Sequence, residues 1–243
     1  MIKKTFLLAG LLTFSVSVNA AISVTDTAFF LDPSSHLSDA DDRTISSFTV
    51  AAGSKLVVTT TQENSDISGI TFGGNSLTAV YNTANSIQRV TTYYLDITTD
   101  TTADIVASVD GNTHFGFAAY AISGAAAGGP ADFASSPTRL SGSFNTEVGS
   151  LVIGSFTKNS FNSITPTITS TVVYNETTIG SGGTSGASAY YFSTTTGTAD
   201  YGFNNSNSRP AAGAVVFAVP EPSSAAALLG FTGLSIALIR RRR

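Results

Sequence analysis

Three segments of this chain recur after a shift of about 96 residues. "AAGSKLVVTTTQENSDI" at 51–67 is echoed by "EVGSLVIGSFTKNSFNSI" at 147–164, "YYLDITTDTTADI" at 93–105 by "YYFSTTTGTADYG" at 190–202, and "GFAAYAIS" at 116–123 by "GAVVFAVP" at 213–220. The shift is 96 from Gly53 to Gly149 and from Asp104 to Asp200, and 97 from Gly116 to Gly213. A fixed period in self-similar sequence means that one structural unit is built twice. Any fold for this chain must therefore accommodate two equivalent halves.

The repeated segments are strands rather than helices. Short β-branched and aromatic runs such as "KLVVTTT" (55–61), "ISGITF" (67–72), "QRVTTYYLDI" (88–97), "HFGFAAYAI" (114–122), "SLVIGSF" (150–156) and "SAYYFST" (188–194) are separated by Gly, Ser, Thr and Asn. No stretch of the central region sustains the i, i+3, i+4 apolar spacing of a helix. Turn signals such as "FGGNS" and "VDGN" supply residues that tolerate the positive φ of tight hairpins. The region 21–218 reads as all-β, with halves of about 21–125 and 138–218 joined by the Gly/Ala/Ser-rich segment 123–137. Two arrangements follow: tandem small sandwiches, or one larger sandwich in which each half supplies strands to both sheets. Five or so short strands per half make a small core for a chain without disulfides, which favours a single jelly-roll-like β-sandwich.

Charge and cysteine content exclude several classes of function. The 21–218 region has six basic residues, Arg43, Lys55, Arg89, Arg139, Lys158 and Arg209, against fifteen acidic ones, a net charge near −9. Phosphate binding needs a basic footprint, so nucleic acid is not expected as a partner. The chain has no cysteine, which removes thiolate metal sites, thiol catalysis and disulfide staples together.

Both ends carry export signals. The N-terminus "MIKKTFLLAGLLTFSVSVNAA" places Lys3 and Lys4 before an apolar stretch, with small residues before a break between Ala20 and Ala21. This is the pattern of a secretory signal peptide over 1–20, processed by signal peptidase. At the other end, Ser223 to Ile239 is a run of seventeen uncharged residues followed by Arg240, Arg241, Arg242 and Arg243. Such a run is expected to form a transmembrane helix, with the arginines as a cytoplasmic stop.

Pro220-Glu221-Pro222, the apolar run and the terminal arginine cluster occur in that order, and residues 219–243 resemble the PEP-CTERM sorting signal of Gram-negative bacteria. The resemblance implies recognition by an exosortase and cutting near the Pro-Glu-Pro. It also implies a membrane-anchored intermediate, then the cell surface or the extracellular, exopolysaccharide-rich biofilm matrix. The Ser/Thr richness of the body fits O-glycosylation by the same implication. The body, through "ITFGGNSLTAV", "YYLD" and "GFAAYAISG", is also similar to a loose set of bacterial surface β-sandwich modules.

Candidates for chemistry in the body are few. Period-two alternation puts Tyr93 on a buried face and Tyr94 on the outer one; the echo does the same for Tyr190 and Tyr191. Tyr94 and Tyr191 are thus candidate glycan contacts, since an exposed ring beside polar neighbours stacks on a sugar. Asp39, Asp41 and Asp42 could offer oxygen ligands to calcium but lack the spacing of an EF-hand loop, and Asp104 and Asp200 read equally well as turn residues. His36 and His114 have no sequence neighbours suited to metal ligation, and "GSGGTSGAS" (180–188) reads as a glycine-serine loop rather than a nucleophile elbow. We therefore expect no cofactor, no metal site and no catalytic residues. The expected protein is a non-catalytic exported surface or matrix protein. The alternatives are a carbohydrate-binding module contacting polysaccharide and a glycan-acting enzyme with paired carboxylates.

Overall fold

The chain's β-branched runs and turn residues fold into strands throughout the computed structural model. It describes residues 21–32, 42–63, 67–85, 87–109, 114–137, 141–159, 164–179, 184–204 and 210–220. The first half contributes β1 (Ser23–Leu31), β2 (Arg43–Val50), β3 (Lys55–Glu63), β4 (Ile67–Phe72), β5 (Asn75–Ser76), β6 (Thr78–Ala84), β7 (Gln88–Asp96), β8 (Thr101–Val109) and β9 (His114–Ser123). The second contributes β10 (Asp132–Ser136), β11 (Ser141–Thr146), β12 (Leu151–Asn159), β13 (Thr165–Pro166), β14 (Thr171–Ile179), β15 (Thr184–Phe192), β16 (Gly197–Asn204) and β17 (Ala211–Phe217). Among the described residues no helix is long and apolar enough to cross a membrane; the span expected at 223–239 lies outside them.

Strand order makes the duplication explicit. The first half forms a five-stranded sheet β1-β9-β3-β7-β6 and a four-stranded sheet β2-β8-β4-β5, the second a five-stranded sheet β10-β17-β12-β15-β14 and a three-stranded sheet β11-β16-β13. Position by position the orders match except at β5, which has no counterpart among the described residues, and every described pairing is antiparallel. Lys55 pairs with Asp96 and Leu151 with Phe192, so β3–β7 and β12–β15 are in the same register at a shift of 96. The turns before β3 and β12 agree in detail. Gly53 and Gly149 have φ of 75° and 86°, and their amides donate to Ile97 O and Ser193 O at 2.8 Å each. Glycine meets that left-handed geometry without a Cβ penalty.

The expectation of one sandwich fed by both halves gives way to a different arrangement. Among the described residues no sheet draws strands from both halves; each half closes its own core, and Ala20–Pro220 is nevertheless one compact unit. The physical reason lies in the five-stranded sheets, which are covered on both faces. Leu56, Val58, Phe115 and Phe117 pack on Ile45, Phe48, Ile70 and Ile105 of the smaller sheet of the first half. Val152, Phe156 and Val216 do the same against Phe144, Tyr201 and Phe203 in the second. A third cluster joins the two large sheets back to back, with Val57, Tyr81 and Tyr120 against Ile153, Tyr174 and Val215. Each apolar side chain so buried contributes about 1.5–3 kcal/mol, and the shared seam supplies the core that either small sandwich alone would lack.

Double coverage shows in the central strands. β3, β9, β12 and β17 are buried almost along their whole length. Within β3, Leu56 and Val58 face the half's own core, whereas Val57, Thr59 and Thr61 face the seam. Several strands were not anticipated, including β1, β14 and β16, whose Thr, Asn and Asp content masks their alternation. β10 also begins inside the segment read as a linker, and Thr184–Ser188 of the supposed glycine-serine loop is buried strand.

Candidate functional site

The described residues run to Pro220. Ala21, the first described residue, is exposed, and Ile22 is already buried in the seam. At the far end β17 stops at Phe217, Val219 packs against the seam cluster, and Pro220 is the last described residue. Ala20, Glu221, Pro222 and Arg240 to Arg243 lie outside the described residues. An open groove of about 560 Å³ is lined in part by Asp132, Asn145, Glu147, Thr196 and Ala218. Asp132 is committed to the backbone there: Oδ1 accepts from Phe133 N at 2.8 Å and Oδ2 from Asn145 N at 2.8 Å, which fastens β10 to β11. The hydroxyls of the groove serve turns in the same way, Ser150 Oγ accepting from Glu147 N at 3.1 Å and Thr196 Oγ1 from Val148 N at 3.4 Å.

The tyrosines expected on outer faces are elsewhere. Tyr94 is half-buried and packs against the seam cluster, with Lys55 Nζ 5.9 Å from its ring centroid. That ammonium is ion-paired with Asp96 and donates to Gly128 O at 2.7 Å, so the linker closes over this corner. Tyr191 packs into the second half's own core, its ring 5.1 Å from that of Tyr201. Its hydroxyl is buried without a hydrogen-bond partner among the described residues, and burial pushes its pKa up. Neither ring forms the open platform expected for stacking on a sugar. The structural register also pairs Tyr94 with Tyr190, not Tyr191, because the halves align here at 96 and not at 97.

The repeated aspartates have structural work. Asp104 Oδ1 accepts from the amide of Ser47 at 2.9 Å, and Ser47 has φ of 56° at a break in the β2–β8 register. Asp200 holds Ser143, the residue 96 positions after Ser47, through its hydroxyl. Asp42 accepts from Ser108 Oγ at 2.7 Å; Asp39, Asp41 and His36 lie outside the described residues. Among the described residues no three His, Asp or Glu side chains group as metal ligands.

A polar network that no local sequence pattern marks lies in the seam. Thr59 Oγ1 lies 2.7 Å from Ser188 Oγ, which also meets the Tyr120 hydroxyl. Thr61 Oγ1 is 2.8 Å from Tyr174 Oη, and Thr92 donates to Tyr81 Oη at 2.8 Å. Burial pushes the Tyr81 phenol up to about 12 despite its hydrogen bonds to Ser155 and Thr92, and raises Tyr120 and Tyr174 as well. At one end of the seam the first residues of β7, β9 and β15 and the last of β3 converge. Gln88 Nε2 donates to Thr184 Oγ1 at 3.4 Å, Thr157 Oγ1 donates to Gln88 Oε1 at 2.6 Å, and Thr184 donates to the Glu63 carboxylate. His114 Nε2 is 3.9 Å from Glu63 Oε2. Gln88 and Thr184 are themselves 96 residues apart, so a residue and its own repeat meet where the pseudo-twofold axis must pass. That coincidence of spacing was the available signal.

No family model, curated protein or solved structure matches the chain.

Proposed function

We propose that this is a non-catalytic exported protein of a Gram-negative bacterium, carried to the cell surface or extracellular matrix. Signal peptidase removes residues 1–20, the 223–239 run then anchors the intermediate in the inner membrane as a helix, and an exosortase cuts near Pro220-Glu221-Pro222. The observation that carries the reading is a coincidence of boundaries: the compact unit runs from Ala20 to Pro220, and those limits fall on the signal-peptide break and on the sorting motif. A processing enzyme needs an accessible segment to cut, and Pro220, the first residue of the motif, is also the last residue of the compact unit. The acidic, cysteine-free double sandwich fits association with polysaccharide in the matrix, with no nucleic-acid contact. Mass spectrometry of the mature protein from its own host tests this. Ala21 should be the first residue and the segment from Ser223 to Arg243 should be missing; an intact C-terminus in the mature protein overturns the sorting assignment.

A further inference from the structure

We propose that Gln88 and Thr184 become joined by an intramolecular ester, formed by the protein itself, which ties one half of the chain covalently to the other. The seam end described above holds every group the reaction needs. Thr184 supplies the hydroxyl and Gln88 the carboxamide, and their side chains already touch, at 3.4 Å between Oγ1 and Nε2. The Thr184 hydroxyl points its proton at the Glu63 carboxylate, which is the geometry of a nucleophile with its general base. On the other side of the carboxamide, Thr157 donates to Gln88 Oε1 at 2.6 Å, where negative charge would build as the carbonyl is attacked.

The step balances with the groups present. As Thr184 Oγ1 adds to the Gln88 Cδ, its proton passes to Glu63, and the charge on Oε1 is held by the Thr157 hydroxyl. Collapse of this tetrahedral species breaks the Cδ–Nε2 bond. Glu63 returns the proton to the departing nitrogen, which leaves as ammonia. One C–O bond forms, one C–N bond breaks, and no oxidant or cofactor is consumed. An amide is a reluctant electrophile, but holding both partners side by side in a buried site removes much of the entropic cost of bringing them together, and ammonia lost to dilute solution draws the exchange forward. Gln88, Thr157, Thr184 and Glu63 are all buried, which keeps water from competing with Thr184 or hydrolysing the product. Gln88 opens β7 in the first sandwich and Thr184 opens β15 in the second. The bond would thus span the seam at the pseudo-twofold axis, in a chain whose lack of cysteine leaves it no disulfide.

Trypsin separates the two sites, because Gln88 lies in the peptide 56–89 and Thr184 in the peptide that begins at Asn159. Peptide mapping of the full chain, purified folded and then denatured for digestion, should find them as one species. Its mass should be about 17 Da below their sum, the mass of one ammonia. Alkaline hydroxylamine should split it and leave a hydroxamate at Gln88. Two separate peptides at their unmodified masses overturn the proposal, as does a joined species lighter by water, which would put the bond at Glu63. Glu63→Gln should abolish the link and Thr184→Ser should keep it; a link that persists in folded Glu63→Gln removes Glu63 as the base. The wild-type map decides the main point even if the Glu63 variant does not fold.

Discussion

Thr59 and Ser188 meet hydroxyl to hydroxyl at 2.7 Å across the seam. Their counterparts 96 residues away, Ser155 and Thr92, are bridged by the phenol of Tyr81, at 3.5 Å and 2.8 Å. Two sheets that pack through threonine, serine and tyrosine must satisfy these groups with one another, because an unsatisfied buried hydroxyl costs about 1–3 kcal/mol. The polar seam thereby fixes one docking geometry, where a purely apolar face would tolerate sliding.

The hydroxyl of Ser188 meets those of Thr59 and Tyr120 together and donates a hydrogen bond to Gly154 O at 3.2 Å. Ser188→Ala should therefore destabilise the fold by about 2 kcal/mol, whereas Thr59→Val, which removes one arm and keeps the volume, should cost about 1 kcal/mol. Urea unfolding of both variants checks the order. Equal costs would mean that Ser188 is not the hub of the network.

The seam tyrosines make the fold sensitive to alkali. Tyr81 is pushed up to about 12 by burial, and Tyr120 and Tyr174 are raised by the same cause. In the unfolded chain each titrates near its ordinary value of about 10. A folded pKa raised above the unfolded one contributes stability that is whole below pH 10 and lost as pH climbs toward 12, at about 1.4 kcal/mol per pH unit for each group. All three act in the same direction, so together they draw down a stability that is typically about 5–15 kcal/mol as pH rises above 10. Phenolate absorbance of these tyrosines should appear only together with loss of the β-sheet circular dichroism signal. Tyr81→Phe should lose its disadvantage against the wild type as pH passes 10. Early, independent titration of all eight tyrosines would contradict the buried seam.

How far the sequence disclosed this architecture depends on which face of a strand is considered. Strand type and the 96-residue echo were legible because "GSKLVVTTT" and "GSLVIGSFT" repeat both the turn glycine and the apolar alternation. The stacking of two complete sandwiches was not, because period-two reasoning treats Thr59, Thr61, Ser155 and Thr157 as solvent-facing when they line a second interface. The same assumption sent Tyr94 to an outer face. It failed for Tyr191 for another reason: the doubled tyrosines align visually at 97, whereas the backbone register is 96. The polar cluster of Glu63, Gln88, Thr157 and Thr184 depends on contacts between residues up to 121 positions apart, which no local pattern encodes.

Close approach of the halves is sharpest at Gly213. A Cβ at that position of β17 would overlap the phenol of Tyr81 from the opposite half, and Tyr81 is itself held by Thr92 and stacked against Phe133 at 6.1 Å. Moving the ring aside would break its hydrogen bond with Thr92 and its stacking on Phe133, and leaving it in place would push the two large sheets apart. Gly213→Ala should therefore cost about 3 kcal/mol, the upper range for overpacking. Gly69→Ala, at a strand position with nothing within 4 Å of the added methyl, should stay within about 0.5 kcal/mol of the wild type. Denaturant midpoints of the two variants provide the comparison. In a Tyr81→Ala background, where the space the methyl enters is empty, Gly213→Ala should cost clearly less than in the wild type; an equal cost in both backgrounds would place the strain of Gly213→Ala outside the seam.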